Sequence, residues 1–310
     1  MQDLILYHYP MSPFAEKMRA MLGYTGIPWQ SVGVREMPPR KVLSILAGGY
    51  RKVPVAQIGA DLFCDTRIIS DEIARISGKP ELSLVGQPRE IVEFVHRTDL
   101  EIFFACVMSA SDKNLLKKLI RETSLWNALL FVRDRAAMGK SSRVRAARGP
   151  KAKGVVLDHM AHLEGMLTRD FLFGDQPCIA DFSAYHSLWF VTDLGEKTWI
   201  EDYPQLKAWL ARMKAFGHGS YQQLKARQGL DTAKSASPRP LESDSDDDLT
   251  GQPVTVAPDD YGRDPVMGTL AFADDRRIIV SRSHKRIGQV HVHFPRQGFT
   301  MTAGHNKQPD

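Results

Sequence analysis

The chain opens on Leu4-Ile5-Leu6-Tyr7-His8-Tyr9, an apolar and aromatic run closed by Pro10, which predicts a buried strand. Phe14, Met18, Met21 and Leu22 then recur at helical spacing, with Glu16, Lys17 and Arg19 on the opposite face. Ser12 is a natural N-cap for this helix, Pro13 suits its first turn, and Gly23 and Gly26 lie at its expected end. Trp29 to Val34 reads as a second strand and residues 38–47 as a short helix. Val53 to Ile58 and Asp61 to Cys64 read as two strands joined near Gly59. Asp65-Thr66 then precedes Ile68, Ile69, Ile73 and Ile76, an amphipathic helix ending at Gly78-Lys79-Pro80. The order β-α-β-(α)-β-β-α is that of a single α/β unit.

From Gly86 to Arg227 the period is helical. Ile91, Phe94, Val95, Thr98, Ile102 and Phe103 share one face, as do Leu157, Met160, Leu163 and Leu167. The stretch from Gly139 to Gly154 is rich in Lys and Arg and has no acid. It reads as a solvated loop or as a flexible rim over a site for anionic ligands. Ser235 to Asp248 is polar, Pro-containing and acidic, which predicts a mobile linker. Beyond it the pattern turns to strands: Val254 to Val256, Met267 to Phe272, Ile278 to Val280, and Gln289 to Phe294 in strict alternation. The expected organisation is an α/β domain over 1–80, an all-helical domain over 86–230, a linker over 231–250 and a small β extension over 251–310. So short an extension is marginal alone and is expected to dock on the first two domains, shaping access to their cleft.

Composition narrows the setting. Hydrophobic residues make up 43% of 310, enough for sizeable cores, and no apolar run is long enough to span a bilayer. The first residues lack the basic and apolar regions of a signal peptide. Cys64, Cys106 and Cys178 are widely spaced and form neither a zinc pattern nor a disulfide framework, so a cytoplasmic location is expected. The net charge of +5 is unevenly placed, positive over residues 1–234 and negative over residues 235–310, and a positive body favours anionic small molecules; nucleic acid and membrane are not expected partners. His291 and His293 share one face of a strand, with His284 and His305 nearby in sequence. A solvent face is the expected reading, and no metal is expected.

The chemistry lies in four motifs. Tyr7-His8-Tyr9-Pro10-Met11-Ser12-Pro13-Phe14-Ala15-Glu16 links the first strand to the first helix; Lys52-Val53-Pro54 and Asp65-Thr66 flank the hairpin; Phe173-Gly174-Asp175-Gln176-Pro177-Cys178-Ile179-Ala180-Asp181-Phe182 precedes a helix. Their order resembles the glutathione transferase superfamily, and the chain looks like a serine-type, bacterial-like member with an extra C-terminal β extension. Ser12-Pro13-Phe14-Ala15-Glu16 looks like the omega-type turn with Ser in place of Cys. Lys52-Val53-Pro54 is similar to the family's Val-Pro with a cis proline, Asp65-Thr66 to its acidic-Ser pair, and Cys178 to Asp181 to its N-capping box. The resemblance implies a thioredoxin-like domain followed by a helical transferase domain. It also implies a detoxifying glutathione transferase that acts as a homodimer on a small electrophilic substrate.

On this reading Ser12 is the catalytic residue, donating a hydrogen bond to the glutathione thiolate at a helix N-terminus, where positive potential lowers the thiol pKa. Phe14, Lys52, Val53, Pro54, Asp65 and Thr66 are the expected glutathione-binding residues. A cis proline would let Val53 pair with a peptide ligand, and the Thr66 hydroxyl and helix N–H groups would hold a carboxylate while Asp65 takes the ammonium. Tyr7 and Tyr9 are rival activating residues. The absence of Cys at position 12 weighs against mixed-disulfide chemistry. Cys178 should weaken its cap, since a thiol is a poorer acceptor than a hydroxyl. Trp126, Tyr185, Trp189 and Phe190 read as helical core rather than as a substrate pocket. The alternatives are a non-catalytic glutathione-binding or interaction protein, and a glutathione-dependent reductase, dehalogenase or isomerase.

Overall fold

A computed structural model describes residues 3–304 apart from 141, 145, 146, 148, 242–244 and 246. The first unit comprises β1 (Leu4–His8), α1 (Pro13–Thr25), β2 (Trp29–Gly33), α2 (Lys41–Ala47), β3 (Val55–Ile58), β4 (Asp61–Cys64) and α3 (Thr66–Ser77). β1 runs parallel to β2 and antiparallel to β3, and β3 turns into β4. All five residues of β1 are buried because both sheet faces are covered. Ser12 caps α1 through its hydroxyl, which accepts the Ala15 N–H at 3.3 Å, and Gly26 ends the helix in the left-handed region at φ 70°. This is the expected thioredoxin-like unit.

The helical unit comprises α4 (Arg89–Arg97), α5 (Phe103–Ala110), α6 (Lys113–Glu122), α7 (Leu125–Lys140), α8 (Pro150–Met166), α9 (Ile179–Trp189) and α10 (Pro204–Ala215). A π-helical turn, Thr98–Ile102, joins α4 to α5. α9 is the central helix, buried from Ile179 to Leu188. Asp181 fixes its start, accepting from the backbone N–H of Cys178 and Leu172 at 3.0 Å each and from Trp209 Nε1 at 2.9 Å. Three donors thus share one buried carboxylate at the helix start. Among the described residues no helix is long and apolar enough to cross a membrane.

The remaining elements are β5 (Tyr221–Gln223), α11 (Ala226–Lys234), β6 (Pro253–Pro258), β7 (Val266–Ala273), β8 (Arg277–His284), β9 (Gly288–Pro295) and β10 (Phe299–Ala303). β9 pairs parallel with β4, so the extension and the first unit form one ten-stranded sheet, ordered β10-β6-β7-β8-β9-β4-β3-β1-β2-β5. One core lies between the sheet and the helical unit; a second lies on the opposite face, under α2 and α11.

Buried polar contacts join the extension to the sheet. Asp61, 1% exposed, accepts from His293 Nε2 at 2.7 Å and from the Arg239 backbone N–H at 3.0 Å. Arg239 also pairs with Glu72 at 3.0 Å, so the segment following α11 is tied to α3. Gln57 receives the Tyr7 hydroxyl at 2.5 Å and donates to the Gly229 carbonyl at 3.0 Å. His291 and His293 are buried, not solvent-facing, because the pairing with β4 brings their face under α3. His305 and most of the acidic run at 242–246 lie outside the described residues.

Candidate functional site

The loop before β3, the β4–α3 turn, the start of α1, the α4 end and two loops of the extension enclose a cavity of about 250 Å³. Phe14, Lys52, Val53, Pro54, Asp65 and Thr66 all line it. The six expected binding residues, separated by up to 52 positions in the chain, therefore meet at one cavity. The Val53–Pro54 peptide is cis.

Asp65 is the N-cap of α3 and adopts φ 94°, a conformation that non-glycine residues rarely hold. Its carboxylate accepts from the Arg67 backbone at 3.1 Å and from Arg67 Nε at 3.0 Å. Burial pushes this carboxyl up, but the Arg67 and Lys52 charges and the Arg67 hydrogen bonds outweigh it and hold it below the usual range. Asp65 is thus an anion kept in place beside Thr66, whose position at the start of α3 offers an oxyanion both a hydroxyl and backbone N–H groups.

Lys52 is committed as well. Its Nζ lies 2.6 Å from Asp260 Oδ1 and 4.0 Å from the centre of the Tyr261 ring. Both partners come from the loop that follows β6. Ser12 is 3% exposed and does not belong to the cavity lining, although Phe14 from the same turn does. Tyr7 is fully buried, its phenol raised by burial and spent on Gln57, which removes it as an activating residue. Trp189, Phe190 and Tyr185 are absent from the lining; Tyr185 donates to Glu16 at 2.9 Å. Trp126 is 68% exposed, contrary to the core position expected of it.

Several cavity residues escaped the sequence reading. Tyr50, His96 and Asp99 line the cavity, and the Tyr50 hydroxyl, His96 Nε2 and Asp99 Oδ1 have no hydrogen-bond partner among the described residues. Burial, aided by the Arg67 charge, lowers the His96 pKa and keeps the ring neutral. The second Asp99 oxygen holds Lys17 at 2.8 Å, and Lys17 in turn donates to Ser183 at 2.7 Å. Asp99 lies next to Thr98 in a segment legible only as an apolar helix face. Asp260 and Tyr261 stand within the expected β extension, between the runs Val254 to Val256 and Met267 to Phe272, where no periodicity marks a site.

A thioredoxin-like α/β unit with a cis proline and a capped helix start at one cavity, followed by an all-helical unit, defines a two-domain class of fold. The glutathione S-transferase N-terminal domain family matches residues 6–81, and the C-terminal domain family matches residues 132–212. A GST-like protein from Pseudomonas syringae is 34% identical, with a TM-score of 0.75, covering 96% of this chain and 98% of that one. The shared span includes the β extension. FtsZ-localized protein A of Caulobacter vibrioides is 26% identical over 222 residues, 68% of this chain and 86% of that protein. The chain belongs to the glutathione transferase superfamily.

Proposed function

We propose that the chain binds glutathione in this cavity and conjugates it to a small electrophile, with Ser12 stabilising the thiolate. The observation that carries this reading is the convergence of Phe14, Lys52, Val53, Pro54, Asp65 and Thr66 on one cavity. Lys52 and the start of α3 would take the ligand's carboxylates, Asp65 its ammonium, and Val53 its backbone. A free thiol has a pKa of about 8.5 and is mostly protonated at neutral pH. The Ser12 oxygen accepts the Ala15 N–H, which leaves its hydrogen to point at a sulfur, and the α1 N-terminus adds positive potential. Phe14 and Leu100 supply apolar wall for the electrophile. The three free cysteines are all buried, in keeping with a reducing cytoplasm, and a homodimer is part of the proposal.

A second reading has its own support: a glutathione-binding interaction protein without turnover. It is favoured by the burial of Ser12 away from the cavity lining and by the relative whose name records localisation with FtsZ rather than a reaction. Calorimetric titration with glutathione, paired with a turnover assay on a panel of electrophiles, separates the two. Binding with turnover that Ser12→Ala lowers at least about ten-fold upholds conjugation. Binding without turnover upholds the interaction protein, and failure to bind under any condition removes both.

A further inference from the structure

Lys52 is the cation that an acidic peptide would meet on entering the cavity, and a segment of the same chain already holds it. Asp260 places a carboxylate oxygen 2.6 Å from Lys52 Nζ, and the Tyr261 ring lies under the same ammonium at 4.0 Å. The segment is secured on several sides. The Asp260 carbonyl accepts the Arg143 N–H at 2.9 Å, and Asp259 N–H donates to the Gly298 carbonyl at 3.0 Å. Arg51 bridges Asp134 of α7 at 2.5 Å and Asp264 at 3.4 Å. The Tyr261 ring meets Phe104 edge-on with centroids 5.2 Å apart. Burial, reinforced by Asp260 and Asp65, keeps the Tyr261 phenol protonated.

The charge balance has the same consequence. Asp65, Asp99, Asp259 and Asp260 face the cavity against Lys52 and Arg67, with His96 neutral. With Asp99 paired to Lys17 at 2.8 Å, the closed cavity keeps a single carboxylate in excess. Glutathione carries two carboxylates against one ammonium, so it gains little by entering until the Asp260 carboxylate gives up Lys52. A carboxylate on Lys52 with an aromatic ring beside it is the contact that a carboxylate-bearing peptide would make. We propose that the segment from Pro258 to Asp264 is an intramolecular acidic ligand of the cleft, excluding an anionic peptide until it lifts away. The identity of that peptide as glutathione rests on the function proposed above; the occupancy of the cleft by the segment does not.

The test uses the full chain and two variants, Asp260→Asn and Tyr261→Ala. Reductive methylation with mass-spectrometric readout reports Lys52 access without any ligand. Lys52, 12% exposed, should label at least five-fold more slowly than the exposed Lys41, and either variant should raise its rate at least five-fold. Labelling of Lys52 at the Lys41 rate in the parent chain, or unchanged rates in both variants, overturns the proposal. Calorimetry then compares glutathione binding to parent and to Asp260→Asn, with an expected gain of about ten-fold, the free-energy scale of one charge-assisted contact. Equal affinities for parent and variant would overturn the proposal while upholding glutathione as ligand. Faster Lys52 labelling with no glutathione bound by any form would uphold the internal ligand and remove glutathione.

Discussion

Asp61→Ala should detach the β extension before it unfolds anything else. The Asp61 carboxylate, 1% exposed, takes the His293 Nε2–H at 2.7 Å on one oxygen and the Arg239 N–H at 3.0 Å on the other. Burial lowers the His293 pKa despite the hydrogen bond and charge of Asp61. Truncation leaves one buried and one part-buried donor without an acceptor, at about 1.5–3 kcal/mol each, or roughly 3–6 kcal/mol together. Asp61→Asn retains an acceptor oxygen and should cost about half as much. The assay is urea unfolding combined with native-state hydrogen exchange, read at the His291 amide, which bonds to the Ala60 carbonyl at 3.0 Å across the β4–β9 seam. Protection there should collapse in Asp61→Ala while the amides of β1 lose far less. A stability loss below about 1 kcal/mol would refute the reasoning, because the desolvation of the carboxylate would then offset its hydrogen bonds. Equal loss of protection at β1 and β9 would refute the local character of the joint.

Acid should weaken the fold well above the carboxylate range. His8 and His159 are lowered by burial to about 3, helped by Arg19 and Arg97 respectively, and His186 is lowered by burial to about 4. Folded pKa values below 6.5 mean that stability is complete above that pH and lost as pH falls through it, by up to about 2 kcal/mol per histidine by pH 5. Urea midpoints at pH 7 and pH 5 check this, and equal midpoints would contradict it. Gly229→Ala should destabilise by about 1–3 kcal/mol, because the added Cβ would sit 1.8 Å from the Tyr7 hydroxyl, itself fixed by Gln57. Thermal unfolding measures this, and an unchanged midpoint would show that α11 is not tightly seated. Ser12→Ala should lower turnover by roughly ten- to a hundred-fold with little change in glutathione affinity, and should cost about 1 kcal/mol of stability as a lost cap. Steady-state kinetics beside calorimetry separates the two effects, and unaltered turnover would reject Ser12 as the activating group.

What the sequence made legible was local. β1, α1, β2, the β3–β4 hairpin and α3 declare themselves because period, caps and turns lie within a few residues of one another. Phe14, the residues at 52–54 and those at 65–66 carry their own chemistry and meet at one cavity, whereas Ser12 of the same first motif stays outside its lining. The seam of Asp61–Phe63 with His291–His293 could not be read, since strand pairing across so long a separation leaves no mark on period. The same gap misassigned His291 and His293: alternation defines a face, not what covers it. Tyr50, His96 and Asp99 were hidden because an apolar helix or loop pattern says where a side chain packs and nothing about an orphaned hydroxyl or ring nitrogen. β5, three exposed residues long, is stranded only by its register with Trp29–Ser31. Trp126 misled because size and apolarity argue for burial, whereas it stands on the open side of α7.

The joining of β9 to β4 also sets a schedule for the ribosome. β4 leaves the exit tunnel more than two hundred residues before β9 is made. At about 5–20 residues per second, the edge of the first sheet waits roughly ten to fifty seconds with its backbone groups unpaired. During that interval the nascent chain exposes an apolar template open to any passing strand. Slow codons or a chaperone acting between residues 64 and 288 would therefore change the yield of soluble protein without changing the stability of the finished molecule.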